Sequence, residues 1–178
     1  MWRREILDFW FGLKPEQWWK PDPELDADIR ERFLDLWESE RQRPAADFLT
    51  DPDTALAAVI LFDQAPRNMF RGHADSFATD HLALAVAQGA IERGFDKALE
   101  PVRRGFLYMP FQHSEDLDVQ RRSLALFADL GNEEQILYAR RHYEVIERFG
   151  RFPHRNAMLG RKPRAEELAA TDADPTRL

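Results

Sequence analysis

The stretch DPDTALAAVILF, residues 51–62, carries the signals with which α-helices begin. Asp51 is a typical N-cap residue, Pro52 suits the first helical turn, and Asp53 places negative charge near the positive end of the helix dipole. Apolar side chains then recur at helical spacing as far as Phe62. The stretch therefore predicts a helix with a buried apolar face.

Similar signals predict helices along most of the chain. The start signal recurs as DPE at residues 22–24, and further helices are predicted after Ser114 and Asn132. Ala and Leu far outnumber Val, Ile and Thr, so residues that favour strands are scarce. We therefore predict an all-α fold of about seven to nine helices in one domain over residues 1–170, with a frayed tail at 171–178.

The composition excludes several classes of protein and site. A chain of 178 residues without cysteine has no disulfide framework, no thiol nucleophile and no cysteine-ligated metal cluster. The net charge of −7 argues against a surface that coats nucleic acid, and no apolar run reaches the roughly 20 residues of a membrane span. We expect a cytoplasmic protein with no nucleic-acid partner, no membrane partner and no cofactor.

The charge is unevenly distributed along the chain. Residues 140–164 contain eight Arg or Lys against two Glu, a net charge of +6, which leaves −13 for the other residues. One basic segment in an acidic protein indicates either a local anion site or a set of internal ion pairs.

A first unusual segment is LFDQAPRNMFRG, residues 61–72. Its Asp63 falls on the apolar stripe of the preceding helix, three residues after Ile60. A buried carboxylate is costly unless it is paired, and Arg67, four residues further on, is the expected partner. Asp63 is therefore either half of a structural clamp between helices or a carboxylate held as a base or ligand anchor.

A second segment, YMPFQHSED at residues 108–116, leads into a helix. Ser114 is its predicted N-cap, and the two acidic residues that follow suit the positive end of a helix. This account leaves His113 unexplained, together with Gln120, which occupies the apolar stripe of the helix. A histidine beside two carboxylates suits acid–base chemistry or metal binding, but the spacing is not specific for a metal, so no metal site is predicted.

A third segment, RFGRFPHRNAMLGR at residues 148–161, interleaves Arg, His and Asn with Phe, Met and Leu. Arginine on a solvated face needs no such apolar neighbours. Four arginines in a turn-rich stretch can form bidentate contacts to carboxylate or phosphate. The alternative is that they neutralise acidic residues of the chain itself, including Asp63, Glu115 and Asp116.

Taken in order along the chain, the three segments resemble a bacterial family known as domain of unknown function 924. The resemblance extends from Ile6 to Leu168, with one small departure at Ala65, where a bulkier residue is expected. It implies an all-helical fold of the tetratricopeptide-like superhelix type. It implies no reaction, because no activity is established for the family.

We expect the three segments to converge on a site for a small phosphate- or carboxylate-bearing ligand or substrate. Asp63, His113 and His154 are the predicted acid–base groups. The predicted ligand-binding residues are Arg67, Asn68, Arg71, Glu115, Asp116, Gln120, Arg151, Arg155, Asn156 and Arg161. If the site is catalytic, the expected chemistry is hydrolysis or transfer on an anionic substrate, and whether the protein is an enzyme stays open.

Two other functions compete with a small-molecule site. Helical superhelices commonly offer a groove to a peptide or protein partner, whose acidic groups arginines could bind. The polar segments could also form a purely structural network that fixes the helices in register.

Overall fold

A computed structural model gives the architecture of residues 2–170, with side chains described through Leu168. Every regular element in this part of the chain is helical, and no strand occurs within it. The predicted all-α class is therefore confirmed. The predicted frayed tail at 171–178 lies outside the described residues, and the tetratricopeptide-like arrangement stays a prediction.

The helices group into two compact units, one ending at Pro110 and the other starting at Phe111. The one domain predicted for residues 1–170 stays a prediction. The helices of the first unit are α1 (Trp2–Gly12), α2 (Pro15–Trp19), α3 (Pro23–Glu40), α4 (Pro52–Val59), α5 (Ala65–Met69) and α6 (Asp80–Glu92). The boundary falls within α7 (Pro101–Gln112), and the second unit contains α8 (Leu117–Leu130), α9 (Glu133–Phe149) and α10 (Ala165–Ala170). Short 3₁₀ turns lie at Ala45–Phe48, Ala74–Phe77, Phe95–Ala98 and Pro153–Arg155.

The predicted helix starts in the first unit are confirmed by their capping contacts. Asp22 Oδ1 accepts hydrogen bonds from the main-chain N–H groups of Glu24 and Leu25, at 3.0 and 3.2 Å. Asp51 Oδ1 accepts one from the N–H of Thr54 at 2.9 Å. Each cap satisfies N–H groups that have no acceptor within their own helix.

Of the two N-caps predicted in the second unit, one is confirmed and the other is wrong. Asn132 Oδ1 accepts from the N–H of Gln135 at 3.0 Å, as predicted for α9. The prediction of Ser114 for α8 is wrong by two residues, because Asp116 is the N-cap and its carboxylate accepts from the N–H groups at the start of the helix. Ser114 Oγ accepts from the N–H of Asp116 at 3.1 Å and so orders the turn before the cap.

The centre of the first unit is α4 with the π-helical turn that follows it, Ile60–Gln64. Side chains from Thr54 through Pro66 are all buried, so this stretch lies in the core on every side rather than on one face. The N–H of Ala65 donates to the carbonyl of Ile60, five residues back, and Pro66 has no N–H to continue the ladder. A cavity of about 10 Å³ beside this turn has only apolar lining and no room for a ligand.

The second unit is built on the pair of helices α8 and α9. Gly131 ends α8 in the left-handed conformation at a φ of +79°, and Gly150 ends α9 at a φ of +67°. After Gly150 the chain passes into the 3₁₀ turn Pro153–Arg155. The buried apolar cluster beside this turn comprises Val145, Ile146, Phe149 and Phe152, with Leu117 packed against it. Within residues 2–170, no helix is both long and apolar enough to span a membrane.

Candidate functional site

The first segment contains a buried ion pair on the π turn and α5. Asp63 has no exposed surface, its Oδ2 accepts a hydrogen bond from Gln64 Nε2 at 2.5 Å, and its Oδ1 lies 3.3 Å from Arg67 Nη1. Arg67 Nη1 also donates to the main-chain carbonyl of Asp63 at 2.6 Å. The predicted Asp63–Arg67 pair is therefore confirmed.

Asp80, at the start of α6, is a second partner of Arg67 that the sequence did not indicate. Its two carboxylate oxygens accept from Arg67 Nη1 and Nη2 at 2.8 and 3.0 Å. One guanidinium thus joins the π turn to α6. These are the contacts of a structural clamp, and the acid–base role of Asp63 stays a prediction.

The other two predicted ligand-binding residues of the first segment contact Asp26 on α3. Asn68 Nδ2 donates to Asp26 Oδ1 at 2.8 Å, while Arg71 Nε and Nη2 donate to the two carboxylate oxygens at 2.6 and 2.8 Å. Burial alone would raise the pKa of Asp26, but the hydrogen bonds from Arg71 and Asn68 hold it below its ordinary value. Both side chains therefore tie the end of α5 to α3.

The turn after α7, which carries His113, is held by hydrogen bonds that its three main-chain carbonyl groups accept. Gln120 Nε2 donates to the carbonyls of Gln112 and Ser114, both at 2.7 Å. Arg155 Nη2 donates to the carbonyl of His113 at 2.8 Å. The buried Gln120 side chain on the apolar stripe is thus explained, because it fixes the backbone on both sides of His113.

Glu115 joins the second and third segments. Its carboxylate accepts a bidentate pair from Arg161 at 2.7 and 2.9 Å, and the N–H of Phe152 donates to its Oε1 at 2.7 Å. Arg161 also donates to Asn156 Oδ1 at 2.9 Å and to the carbonyl of Phe152 at 3.0 Å. Burial favours a higher pKa for Glu115, but these donors hold the pKa below its ordinary value.

Replacing Glu115 with Gln is expected to lower the free energy of unfolding by about 2 kcal/mol, because Arg161 loses its counter-charge in a partly buried site. Urea unfolding followed by far-UV circular dichroism measures the change. Glu134→Gln on the exposed first turn of α9 is the matched control and should cost no more than about 0.5 kcal/mol. Equal costs for the two variants would contradict a structural role for the Glu115–Arg161 pair.

Glu167 on α10 is a second carboxylate that accepts several hydrogen bonds. The sequence reasoning missed it. Arg151 donates to both of its oxygens at 2.5 and 2.9 Å, Asn156 Nδ2 donates at 3.0 Å, and the N–H of Arg164 donates at 2.8 Å. The hydrogen bonds from Arg151 are the largest cause of a pKa of about 2 for Glu167. Its only sequence signal was its position in an acidic first turn, which is common to most helices.

In the second unit two histidines, His142 and His154, lie beside Phe152, and a third, His113, lies beside His142. The His113 and His142 ring centroids are 6.1 Å apart, and the rings of His142 and His154 each lie 5.6 Å from that of Phe152. The guanidinium of Arg155 lies over the same ring at 4.7 Å. We call these four polar residues, His113, His142, His154 and Arg155, the histidine–arginine cluster.

His142, on α9, is the member that the sequence reasoning missed. Its Nδ1 is 2.8 Å from the carbonyl of Tyr138, one helical turn earlier. Burial and the neighbouring charges of His113, His154 and Arg155 lower the pKa of His142 to about 3. The ring is therefore neutral at physiological pH.

Comparisons with known proteins agree with the fold and the motifs. A family profile described as "Bacterial protein of unknown function (DUF924)" matches residues 6–173. The chain belongs to the DUF924 family. A solved structure, that of the protein of unknown function ATU0120 from Agrobacterium tumefaciens, is similar to this DUF924 chain with a TM-score of 0.90, 39% identity and coverage of 96% of each chain. No curated protein matches it.

The predicted site residues of this DUF924 protein fall into two sets. The unit that ends at Pro110 holds Asp63, Arg67, Asn68 and Arg71. The unit that starts at Phe111 holds His113, Glu115, Asp116, Gln120, Arg151, His154, Arg155, Asn156 and Arg161. Within the second unit the structure brings the second and third segments together through Glu115 and Arg155.

The chemistry available in the second unit is that of cations and imidazoles. Across residues 2–170 of this DUF924 chain, no group of three or more histidine or acidic side chains is arranged to hold a metal ion. Imidazoles beside a guanidinium can bind an anion and exchange protons with it near neutral pH.

Proposed function

We propose that the histidine–arginine cluster binds a small phosphate- or carboxylate-bearing anion. The observation that supports the proposal is the grouping of imidazoles with a guanidinium: His142, His154 and Arg155 lie against the ring of Phe152, and the ring of His113 lies 6.1 Å from that of His142. Positive charge concentrated around a partly buried ring is the environment that an anion neutralises.

The other arginines that the sequence predicted as anion binders have partners within the chain. Four arginines that the sequence predicted as anion binders contact carboxylates of the chain itself: Arg67, Arg71, Arg151 and Arg161. Of the predicted cationic ligands, Arg155 is the one that lies over Phe152 among the histidines.

If the bound anion is a substrate, His113 and His154 are the acid–base groups of this proposal. Histidine changes charge close to neutral pH, so it can both donate and accept a proton during hydrolysis or group transfer. The turn that carries His113 is fixed by hydrogen bonds to all three of its carbonyls, which suits a group that must hold its position. The expected cytoplasmic location stays a prediction.

His154→Ala is expected to weaken the binding of inorganic phosphate about tenfold or more, because one charged hydrogen bond is lost. His154 is exposed, so the substitution should leave the fold intact. Isothermal titration calorimetry at constant ionic strength measures the affinity, and His113→Ala is expected to behave in the same way. His81→Ala, an exposed histidine on α6, is the matched control and should bind phosphate as the wild type does.

The same titrations separate the proposal from its competitors. Acetate serves as the carboxylate probe beside phosphate. If neither anion binds the wild type more tightly than it binds His113→Ala, the cluster is not an anion site.

A second candidate function, that of a protein- or peptide-interaction module, is favoured by exposed apolar side chains on the first unit. Trp19 is 56% exposed and Val102 is 53% exposed. The Trp19 ring stacks parallel to that of Phe106 at 5.8 Å. Exposed aromatic surface of this kind is typical of contact sites for other chains.

A further inference from the structure

The helix α10 is attached to the second unit through a carboxylate. Among the side chains of residues 165–168, only that of Glu167 is buried, at 1% exposure. Ala165, Glu166 and Leu168 are exposed. Since most of the stability of a short helix comes from packing an apolar face, this part of α10 depends on polar contacts for its position.

Two side chains that precede α10 in the chain, Arg151 and Asn156, bind the Glu167 carboxylate. Arg151 donates through Nε to Oε1 at 2.5 Å and through Nη2 to Oε2 at 2.9 Å, the bidentate geometry with which arginine recognises a carboxylate. Asn156 Nδ2 donates to Oε2 at 3.0 Å. Arg151 Nη2 also donates to the carbonyl of Lys162 at 2.9 Å, which lies before α10 begins.

The orientation of the Asn156 amide is set by residues outside α10. Arg161 Nε donates to Asn156 Oδ1 at 2.9 Å, so the Nδ2 group of the same amide is directed toward Glu167. Arg161 in turn donates to both carboxylate oxygens of Glu115, at 2.7 and 2.9 Å. The bonds that orient this donor therefore do not involve α10, as is typical of a preorganised binding site.

We propose that Arg151 and Asn156 form a carboxylate-binding site that α10 covers, with Glu167 as its internal ligand, and that α10 opens as a strap to admit a small carboxylate-bearing molecule. Elements with few buried apolar contacts open at a lower free energy than the core of the same protein. An external carboxylate takes over the bonds that Arg151 makes to Glu167, so it binds the open form alone. These residues are not those of the histidine–arginine cluster, so the site can exist with or without the function proposed above.

The first test follows amide hydrogen exchange of the wild-type full chain by mass spectrometry at pH 7, with sodium acetate as the probe. A ligand that binds the open form alone raises the open population in proportion to its concentration. Exchange at residues 165–170 should therefore rise with acetate, while sodium chloride at the same ionic strength should raise it much less. Exchange in α9 should respond to neither salt. If acetate has no effect, or only the effect of chloride, there is no carboxylate site beneath α10.

The second test removes the internal ligand. In Glu167→Ala the amides of α10 should exchange about tenfold faster than in the wild type, or more, because charged hydrogen bonds to the carboxylate are lost. Glu166→Ala is the matched control on the same helix. Its side chain is exposed and lies only within 3.9 Å of Arg164, so its α10 should exchange as in the wild type. Equal exchange in the two variants would show that Glu167 does not hold the strap.

The same pair of variants tests the site itself by isothermal titration calorimetry with sodium acetate at constant ionic strength. Glu167→Ala should bind acetate at least about tenfold more tightly than Glu166→Ala, in which the internal carboxylate still competes. Adding Arg151→Met to Glu167→Ala should abolish this gain, because the bidentate donor is removed. Acetate bound at the histidine–arginine cluster is common to both single variants, so their difference reports on the site beneath α10. No gain in Glu167→Ala, or a gain that survives Arg151→Met, overturns the proposal and leaves the histidine–arginine cluster untouched.

Discussion

Replacing Arg67 with Met is expected to lower the free energy of unfolding by about 3–5 kcal/mol, the usual cost of leaving a buried charge without its partner. Arg67 is 21% exposed in its side chain, and the Asp63 carboxylate beside it has no exposed surface. Methionine matches the length of the arginine stem but supplies no donor, so Asp63 and Asp80 both lose their bonds to the guanidinium.

Urea unfolding followed by tryptophan fluorescence measures this effect. All five tryptophans lie in the first 37 residues, so the signal reports on the unit that contains Arg67. Arg71→Met is the matched control. Arg71 belongs to the same segment and contacts both oxygens of Asp26, but its side chain is 44% exposed, so its loss should cost no more than about 1 kcal/mol.

A double variant tests the physical cause. Asp63→Asn combined with Arg67→Met removes the buried negative charge together with its partner, so it should recover part of the stability that Arg67→Met loses. If Arg67→Met costs no more than Arg71→Met, or if the double variant recovers nothing, the clamp between the π turn and α6 does not stabilise the unit.

Contacts between residues that are close in sequence could be predicted, whereas contacts between distant residues could not. Arg67 makes one contact of each kind. Asp63 and Arg67 are four residues apart, so helical geometry alone brings them together. Asp80 lies 13 residues beyond Arg67, after a 3₁₀ turn. The sequence pattern does not predict the path of the backbone through that turn. The helix caps at Asp22 and Asp51 were predictable for the same local reason.

The candidate site of the second unit depends on contacts between distant parts of the chain, which is why less of it could be predicted. The Glu115–Arg161 pair spans 46 residues, and the partners of Glu167 come from a separate turn. The composition indicated either an anion site or internal ion pairs for the basic segment. Arg151 and Arg161 form internal ion pairs with acidic residues, and the anion site stays a proposal.

His142 could not be recognised because its sequence context is that of an ordinary exposed helix face. It lies in α9 between Arg141 and Tyr143, with no adjacent glycine or proline to mark it. Its role arises only when the turn after Gly150 returns Phe152 and His154 to the helix. Residues with perturbed pKa values are found at functional sites more often than elsewhere, which is why His142 is included in the proposed site.

Lowering the pH is expected to reduce the stability of the wild type more than that of His142→Phe. The pKa of His142 is about 3 in the folded chain against an ordinary value of 6.5, so between these values the unfolded chain binds a proton that the folded chain does not. The part of the stability that depends on His142 is therefore complete above pH 6.5 and is lost as the pH falls toward 3. Each pH unit within the window contributes about 1.4 kcal/mol, so the loss reaches about 2 kcal/mol by pH 5 and about 4 kcal/mol by pH 3.

The measurement is urea unfolding by far-UV circular dichroism at a series of pH values, with the wild type and His142→Phe compared at each. The groups that face the ring, His113, His154 and Arg155, remain in both proteins, so the difference between the two curves isolates His142. His81→Phe on exposed α6 should follow the wild type throughout. Parallel curves for wild type and His142→Phe between pH 7 and pH 5 would show that the folded chain accepts a proton on His142.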